Sequence, residues 1–184
     1  MVTKNGSTAT EAPANRDFKS RQRALKASYA ENPELAKQTT VVKSVTPDDA
    51  ETGKVRIAID NASAVEVDIG AHCSVGGTED TGCSGDYFLA SLAGCYEVTL
   101  RLVASSLKLT INRLDLRVEG DWDARGTLGT DKEAPVGYTE IRVIADVDAE
   151  GPEKSLARLG ELTERYCVVS QTLKNPPSVE VTWR

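Results

Sequence analysis

A chain of 184 residues with 28 acidic and 22 basic side chains carries a net charge of −6, spread along its length rather than gathered in a block. That length suffices for a single domain with a real core, and the acidic balance argues against nucleic acid, whose phosphates call for a basic face. Four cysteines with no CxxC pair do not make a disulfide scaffold at this size. No stretch is a run of the ~20 apolar residues that span a bilayer, so no membrane partner is expected. Met1 to Asn15 is polar, lacks the apolar centre of a secretory signal, and reads as a disordered lead to one domain over residues 16–184. The expected setting is cytoplasmic, where thiols stay reduced unless they are used.

Taken in order, Arg16 to Ala30 has the composition of a helix with a sparse apolar side (Phe18, Leu25, Tyr29), ended by Asn32-Pro33. Thr39–Val45, Val55–Ile59 and Val65–Ile69 read as strands separated by turns. A long loop from Gly70 to Thr81 then leads to a helix with Ser84 as its expected N-cap and Asp86 in its first turn. From Tyr87 to about Leu107 that helix is apolar on nearly every face, the mark of a rod buried in the middle of something. Gly94 inside it points to a close backbone approach beside Cys95.

Leu114, Leu116 and Val118 alternate with charges, as do Ile141, Val143, Ala145 and Val147; both stretches read as long antiparallel strands. Pro152 opens a helix with Leu156, Leu159, Leu162 and Tyr166 at helical spacing. A short helix from Cys167 to Lys174 follows, and Val179 to Trp183 closes the chain as a sixth strand of one sheet. Strands and helices come in blocks, so the class is α+β with a mostly antiparallel sheet packed on a long buried central helix.

The chemistry rests on cysteine. A nucleophilic thiol needs access and a lowered pKa. Cys95, mid-helix among apolar residues, is on its own a small core residue. Cys167 opens a short helix just after Arg165, and Cys83 sits where the long helix begins, beside backbone N–H groups without helical partners. Cys83 is thus as good a nucleophile as Cys95 on these grounds. Arg101, Arg125 and Arg165 are the cations available to activate a thiol, with Arg165 favoured by its place in sequence. The spacing of His72, Cys73, Cys83 and Cys95 matches no zinc pattern, so no metal and no bound cofactor are expected.

Leu92-Ala-Gly-Cys95 in a central helix, with Glu164-Arg-Tyr-Cys167-Val-Val downstream, resembles the OsmC/Ohr family of osmotically inducible and organic hydroperoxide resistance proteins, over roughly Thr39 to Arg184. The resemblance implies an intertwined homodimer in which Cys95 attacks an organic hydroperoxide or hydrogen peroxide. Cys167 then resolves the sulfenic acid as a disulfide, which a dithiol such as a lipoyl protein reduces. The better-studied peroxidases of that family carry a glutamate ten residues before the first cysteine, where this chain has Gly85, with Asp86 one residue later. They pair that glutamate with an arginine from an N-terminal loop. The chain looks like an OsmC-like branch with Cys83-Ser-Gly-Asp86 at the helix start. Within the resemblance, Cys83 is a third catalytic thiol, and Asp86 and Arg165 are supporting residues. The same departures keep a second reading in play, a non-peroxidase dimer whose cavity binds a small apolar ligand.

Overall fold

The computed structural model describes residues 13–60 and 65–184. The described residues group into two compact units, one of residues 13–43, 59–60 and 65, the other of Ser44–Ala58 and Glu66–Arg184. Helix α1, Pro13–Glu31, replaces the shorter helix expected over Arg16–Ala30 and takes in the last three residues of the polar lead. The first twelve residues of that lead lie outside the described residues. Asn32 ends α1 with its N–H on the Ser28 carbonyl (2.8 Å), and its side chain then caps a 3-10 turn over Pro33–Ala36.

Strands β1 (Val41–Ser44), β2 (Lys54–Asp60) and β3 (Glu66–Gly70) form a three-stranded sheet in sequence order. β2 and β3 are antiparallel with Ile57 opposite Val67 and Val55 opposite Ile69, so the alternation legible in both strands is paired residue for residue. A loop containing the 3-10 turn Cys73–Val75 leads on to the long helix.

That helix, α2, spans Ser84–Ser106, and its N-cap is Cys83 rather than Ser84. Cys83 holds an extended backbone; its sulfur accepts the Asp86 N–H at 3.4 Å, while the Asp86 carboxylate accepts the Cys83 N–H at 2.9 Å. This is a capping box in which a thiol stands where serine or threonine is usual. The Tyr87 hydroxyl, donating to the Asp68 carbonyl at 3.1 Å, and a bridge between Gly70 and Cys83 tie the start of α2 to β3. At the other end Lys108, with φ +60°, turns the chain out of the helix in the left-handed conformation usually left to glycine.

β4 (Thr110–Asp121) and β5 (Glu140–Glu150) form a separate antiparallel pair, with Leu114 opposite Val147, Leu116 opposite Ala145 and Val118 opposite Val143. Between them lies α3, Ala124–Leu128. Helices α4 (Glu153–Tyr166) and α5 (Val168–Lys174) pack with β4 against α2. Leu100, Val103 and Ala104 of α2, with Leu109 and Leu159, make the centre of the core; Ile111, Leu114 and Val147 close it from the strands.

Three expectations are revised here. Among the described residues the strands make sheets of three and two, not one sheet of six. Val179–Trp183 is no strand, because no described residue pairs with it: Val179, Val181 and Trp183 are 84, 71 and 92% exposed. And α2 is buried on one face only. Leu92, Thr99, Leu100, Val103 and Ala104 are buried, whereas Val98 is 60% exposed and nothing lies within 4 Å of where a side chain at Gly94 would begin. By length and composition α2 passes for a membrane span, yet it carries Asp86, Glu97 and Arg101 and packs on three elements of its own chain.

Leu100→Ala removes a side chain only 2% exposed and is expected to cost about 2–5 kcal/mol in chemical denaturation. Val98→Ala, on the open face, is expected to change the stability of a lone chain by no more than about 0.5 kcal/mol; a larger loss shows that the face is covered in solution.

Candidate active site

The site is built where α4 hands over to α5. A single residue, Cys167, is at once the C-cap of one helix and the N-cap of the other. Its N–H reaches back to the Thr163 carbonyl (3.0 Å) and its carbonyl receives the Gln171 N–H (2.9 Å), so the corner is held from both sides. Cys167 and Thr163 are both 0% exposed. Thr163 satisfies its buried hydroxyl by donating to the Leu159 carbonyl at 2.7 Å. Because α5 begins directly after the corner, its first backbone N–H groups have no helical partner and are free for the sulfurs.

Cys95 comes from the face of α2 that meets this corner. Its thiol and that of Cys167 are near enough for each to shift the other's pKa. Burial pushes the Cys95 thiol up, but the Val169 N–H, the Cys167 thiol, the Val168 N–H and the Thr99 hydroxyl together hold it below the ordinary value. Cys167 goes the other way: burial raises it, and so does the neighbouring Cys95, against the opposing N–H groups of Ser170 and Val169. One sulfur is prepared to hold negative charge and the other to keep its proton. Tyr96, next to Cys95, is raised by burial and then by the nearby Cys167.

The expected cations are not there. Arg165 is exposed and lies over the ring of its neighbour Tyr166, 5.6 Å from the centroid. Two residues before a buried cap, it is carried onto the outer side of α4. Arg101 pairs with Glu97 on the preceding turn (2.7 Å), and Arg125 with Asp123 and Asp131 (2.6 and 3.1 Å). Backbone N–H groups do the work expected of an arginine.

Cys83 does not join the pair. It lies twelve residues before Cys95 at the start of the same helix, about 18 Å away along the axis. Asp86 stays with it: the Cys83 N–H is the main cause of its lowered pKa. It is a cap, not a support for Cys95. Gly85 has a structural reason, since a side chain there would begin 2.6 Å from the Tyr138 hydroxyl and 3.4 Å from the Cys83 sulfur. Cys73 is exposed, within 3.7 Å of its neighbour His72.

Thr99 and the N–H groups of Val168 and Val169 were not foreseeable as a set. Thr99 sits one turn after Cys95 and so shares its face, but backbone donors leave no mark in side-chain identity. A groove of about 560 Å³ lies beside the pair, with Leu92, Tyr96, Val143 and Leu173 in its walls and the Glu164–Lys174 ion pair among its lining residues.

The family model described as OsmC-like protein matches residues 77–182. No curated protein matches the sequence. Among solved structures, an OsmC-like protein of Mycoplasma pneumoniae superposes with a TM-score of 0.57 at 18% identity, over 76% of this chain and 89% of that one. An OsmC-like protein of unknown function from Vibrio cholerae gives 0.55 at 12%, over 74% and 92%. An organic hydroperoxide resistance protein of Elizabethkingia anophelis gives 0.51 at 17%, over 76% and 91%. At such identities the likeness is one of fold.

The opposed shifts of the two thiols lead to a chemical test. Alkylation of Cys95 by iodoacetamide, followed by peptide mass spectrometry, is expected to titrate with a midpoint below that of a free thiol, because the rate follows the thiolate. Cys167→Ala, which removes the donor altogether, is expected to move that midpoint upward, since the Cys167 thiol is one of the groups that hold it down.

Proposed function

We propose, from the premise that the chain belongs to the OsmC-like family, that it is a thiol-dependent peroxidase acting through Cys95 and Cys167. The observation that carries this reading is the paired shift at the α2–α5 contact: a thiol held low beside a thiol held high, both facing the first turn of α5. The fold shared with an organic hydroperoxide resistance protein supports it.

In this reading the Cys95 thiolate attacks the outer oxygen of a hydroperoxide. An S–O bond forms, the O–O bond breaks, and the departing alkoxide takes a proton to leave as an alcohol. Cys167 then gives up its proton and attacks the Cys95 sulfenic sulfur; a disulfide forms and water leaves. An external dithiol, such as a lipoyl protein, restores both thiols by exchange. Cys167 is fully buried while Cys95 is partly open, so the reductant attacks at Cys95. The apolar walls of the neighbouring groove favour organic hydroperoxides over hydrogen peroxide.

A homodimer belongs to this reading. Tyr87, Ser91, Gly94 and Val98 form an exposed line along α2 at helical spacing, with small residues at its centre where a second α2 can approach closely. The exposed Val179–Trp183 segment offers a strand to a second copy. A dimer burying more than about 2,000 Å² would cover both, and a cytoplasmic setting would keep the thiols reduced between turnovers. One observation favours the alternative of a non-catalytic dimer that binds a small apolar ligand: among the described residues no arginine is a partner of either thiol, and Gly85 stands in the place of the glutamate.

A stoichiometric pulse of cumene hydroperoxide is expected to consume two of the four thiols and to yield one Cys95–Cys167 disulfide in non-reducing peptide maps. Cys167→Ser is expected to stop at a sulfenic acid that dimedone traps on Cys95, and Cys95→Ser to abolish consumption. Four thiols unchanged after the pulse would leave the ligand-binding dimer as the better account. Sedimentation at micromolar concentration is expected to give the dimer mass; a well-folded monomer would remove the walls from the site.

A further inference from the structure

A second cavity, of about 240 Å³, lies at the start of α2, between the helix N-terminus, the 3-10 turn at Cys73, the end of β4 and the Val136–Tyr138 stretch before β5. Its walls include three aromatic rings: His72, Trp122 and Tyr138. Each is braced. The His72 ring meets Trp122 edge-on at 5.2 Å between centroids and 88° between planes, and Tyr138 stacks on Phe88 at 5.9 Å and 14°. The His72 Nδ1 accepts the Ser74 N–H at 3.0 Å, which in the neutral ring leaves the proton on Nε2. Gly70, Gly85 and Gly137 keep the space open. At Gly85 any side chain would run into the Tyr138 hydroxyl.

Beside the His72 ring the cavity holds a single carboxylate. Asp86 is the only Asp, Glu, Lys or Arg in its lining. One Asp86 oxygen takes the Cys83 N–H, and among the described residues no lysine or arginine pairs with the carboxylate. A second hollow shares Ala71, His72, Cys83 and Asp86 with the first and adds Glu79 and Asp80, of which Asp80 is neutralised by Lys54 at 2.6 Å. Aromatic rings beside a carboxylate that no lysine or arginine neutralises are the arrangement that attracts an organic cation, through ring quadrupoles and the opposite charge together. The volume falls below the ~300–1,000 Å³ of pockets for drug-sized ligands, so the cation is small.

We infer that the cavity between Trp122, Tyr138, His72 and Asp86 is a binding site for a small alkylammonium ion of about the size of choline. It is set apart from the thiol pair, opening at the start of α2 while Cys95 lies near the middle of the helix, and it stands whether or not the chain is a peroxidase.

The test compares choline with its uncharged isostere 3,3-dimethylbutan-1-ol on the full chain at constant ionic strength. The readout is the indole N–H resonance of Trp122, assigned through Trp122→Phe. Choline is expected to shift that resonance saturably and to bind about tenfold or more tighter than the alcohol, the preference a desolvated cation–π contact with a counter-charge provides. Asp86→Asn, which keeps an oxygen to cap Cys83 but drops the charge, is expected to weaken choline several-fold and leave the alcohol unaffected. No saturation of Trp122 by choline, equal affinity for the two probes, or undiminished choline binding by Asp86→Asn would overturn the assignment. The comparison of probes needs no variant, so the result does not hang on how a variant folds.

Discussion

The contact between α2 and the corner at Cys167 is the constraint on which the rest of the larger unit turns. One residue separates α4 from α5, so both helices must change direction around a side chain with no exposure at all. That forces Thr163 and Leu159 inward from α4 and brings the unpaired first turn of α5 onto Cys95. The same packing sets α2 against β4, and through Leu114 and Val147 it sets the face that the β4–β5 pair turns to the core. A thiol at the corner fits because it is small, tolerates burial and asks for little hydrogen bonding. Its chemistry is available only because its neighbour on α2 is another thiol.

The electrostatics follow from that geometry rather than from charged side chains. A buried thiolate is costly unless donors are already in place. Here the donors are peptide N–H groups, fixed by the corner and without helical carbonyls to satisfy, and they need no arginine. The arrangement also divides labour by depth. The sulfur with the lowered pKa is the one still partly open, and the sulfur with the raised pKa is sealed. Reagents from outside therefore meet Cys95 first.

Much of this was legible in the amino-acid sequence where the signal is local. The alternation of Leu114–Val118 and Ile141–Val147 marks β4 and β5, and the leucine spacing after Pro152 marks α4. The meeting of Cys95 with Cys167 was reached through resemblance, because some seventy residues separate them and no periodicity links them. Other features depend on what a stretch touches. Val179, Val181 and Trp183 alternate as a strand should, but a strand exists only beside another edge, and none of the described strands pairs with this segment. Gly94 looked like a close approach, and the space beside it is open. Arg165 is near Cys167 in sequence and turned away from it in space. Ser84 has the better capping side chain, yet the extended backbone falls at Cys83, and position decides the cap.

That last feature binds folding to redox chemistry at one atom. The start of α2 is fastened by a sulfur lone pair accepting a peptide N–H at 3.4 Å, a weak and long bond for a capping box. An alkyl group or a mixed disulfide on that sulfur leaves its lone pairs but adds bulk where the cap is closed, and so strains the first turn of the helix that carries Cys95 at its middle. The melting temperature of the whole chain thus becomes a report on the chemical state of Cys83, a residue that takes no part in the Cys95–Cys167 contact.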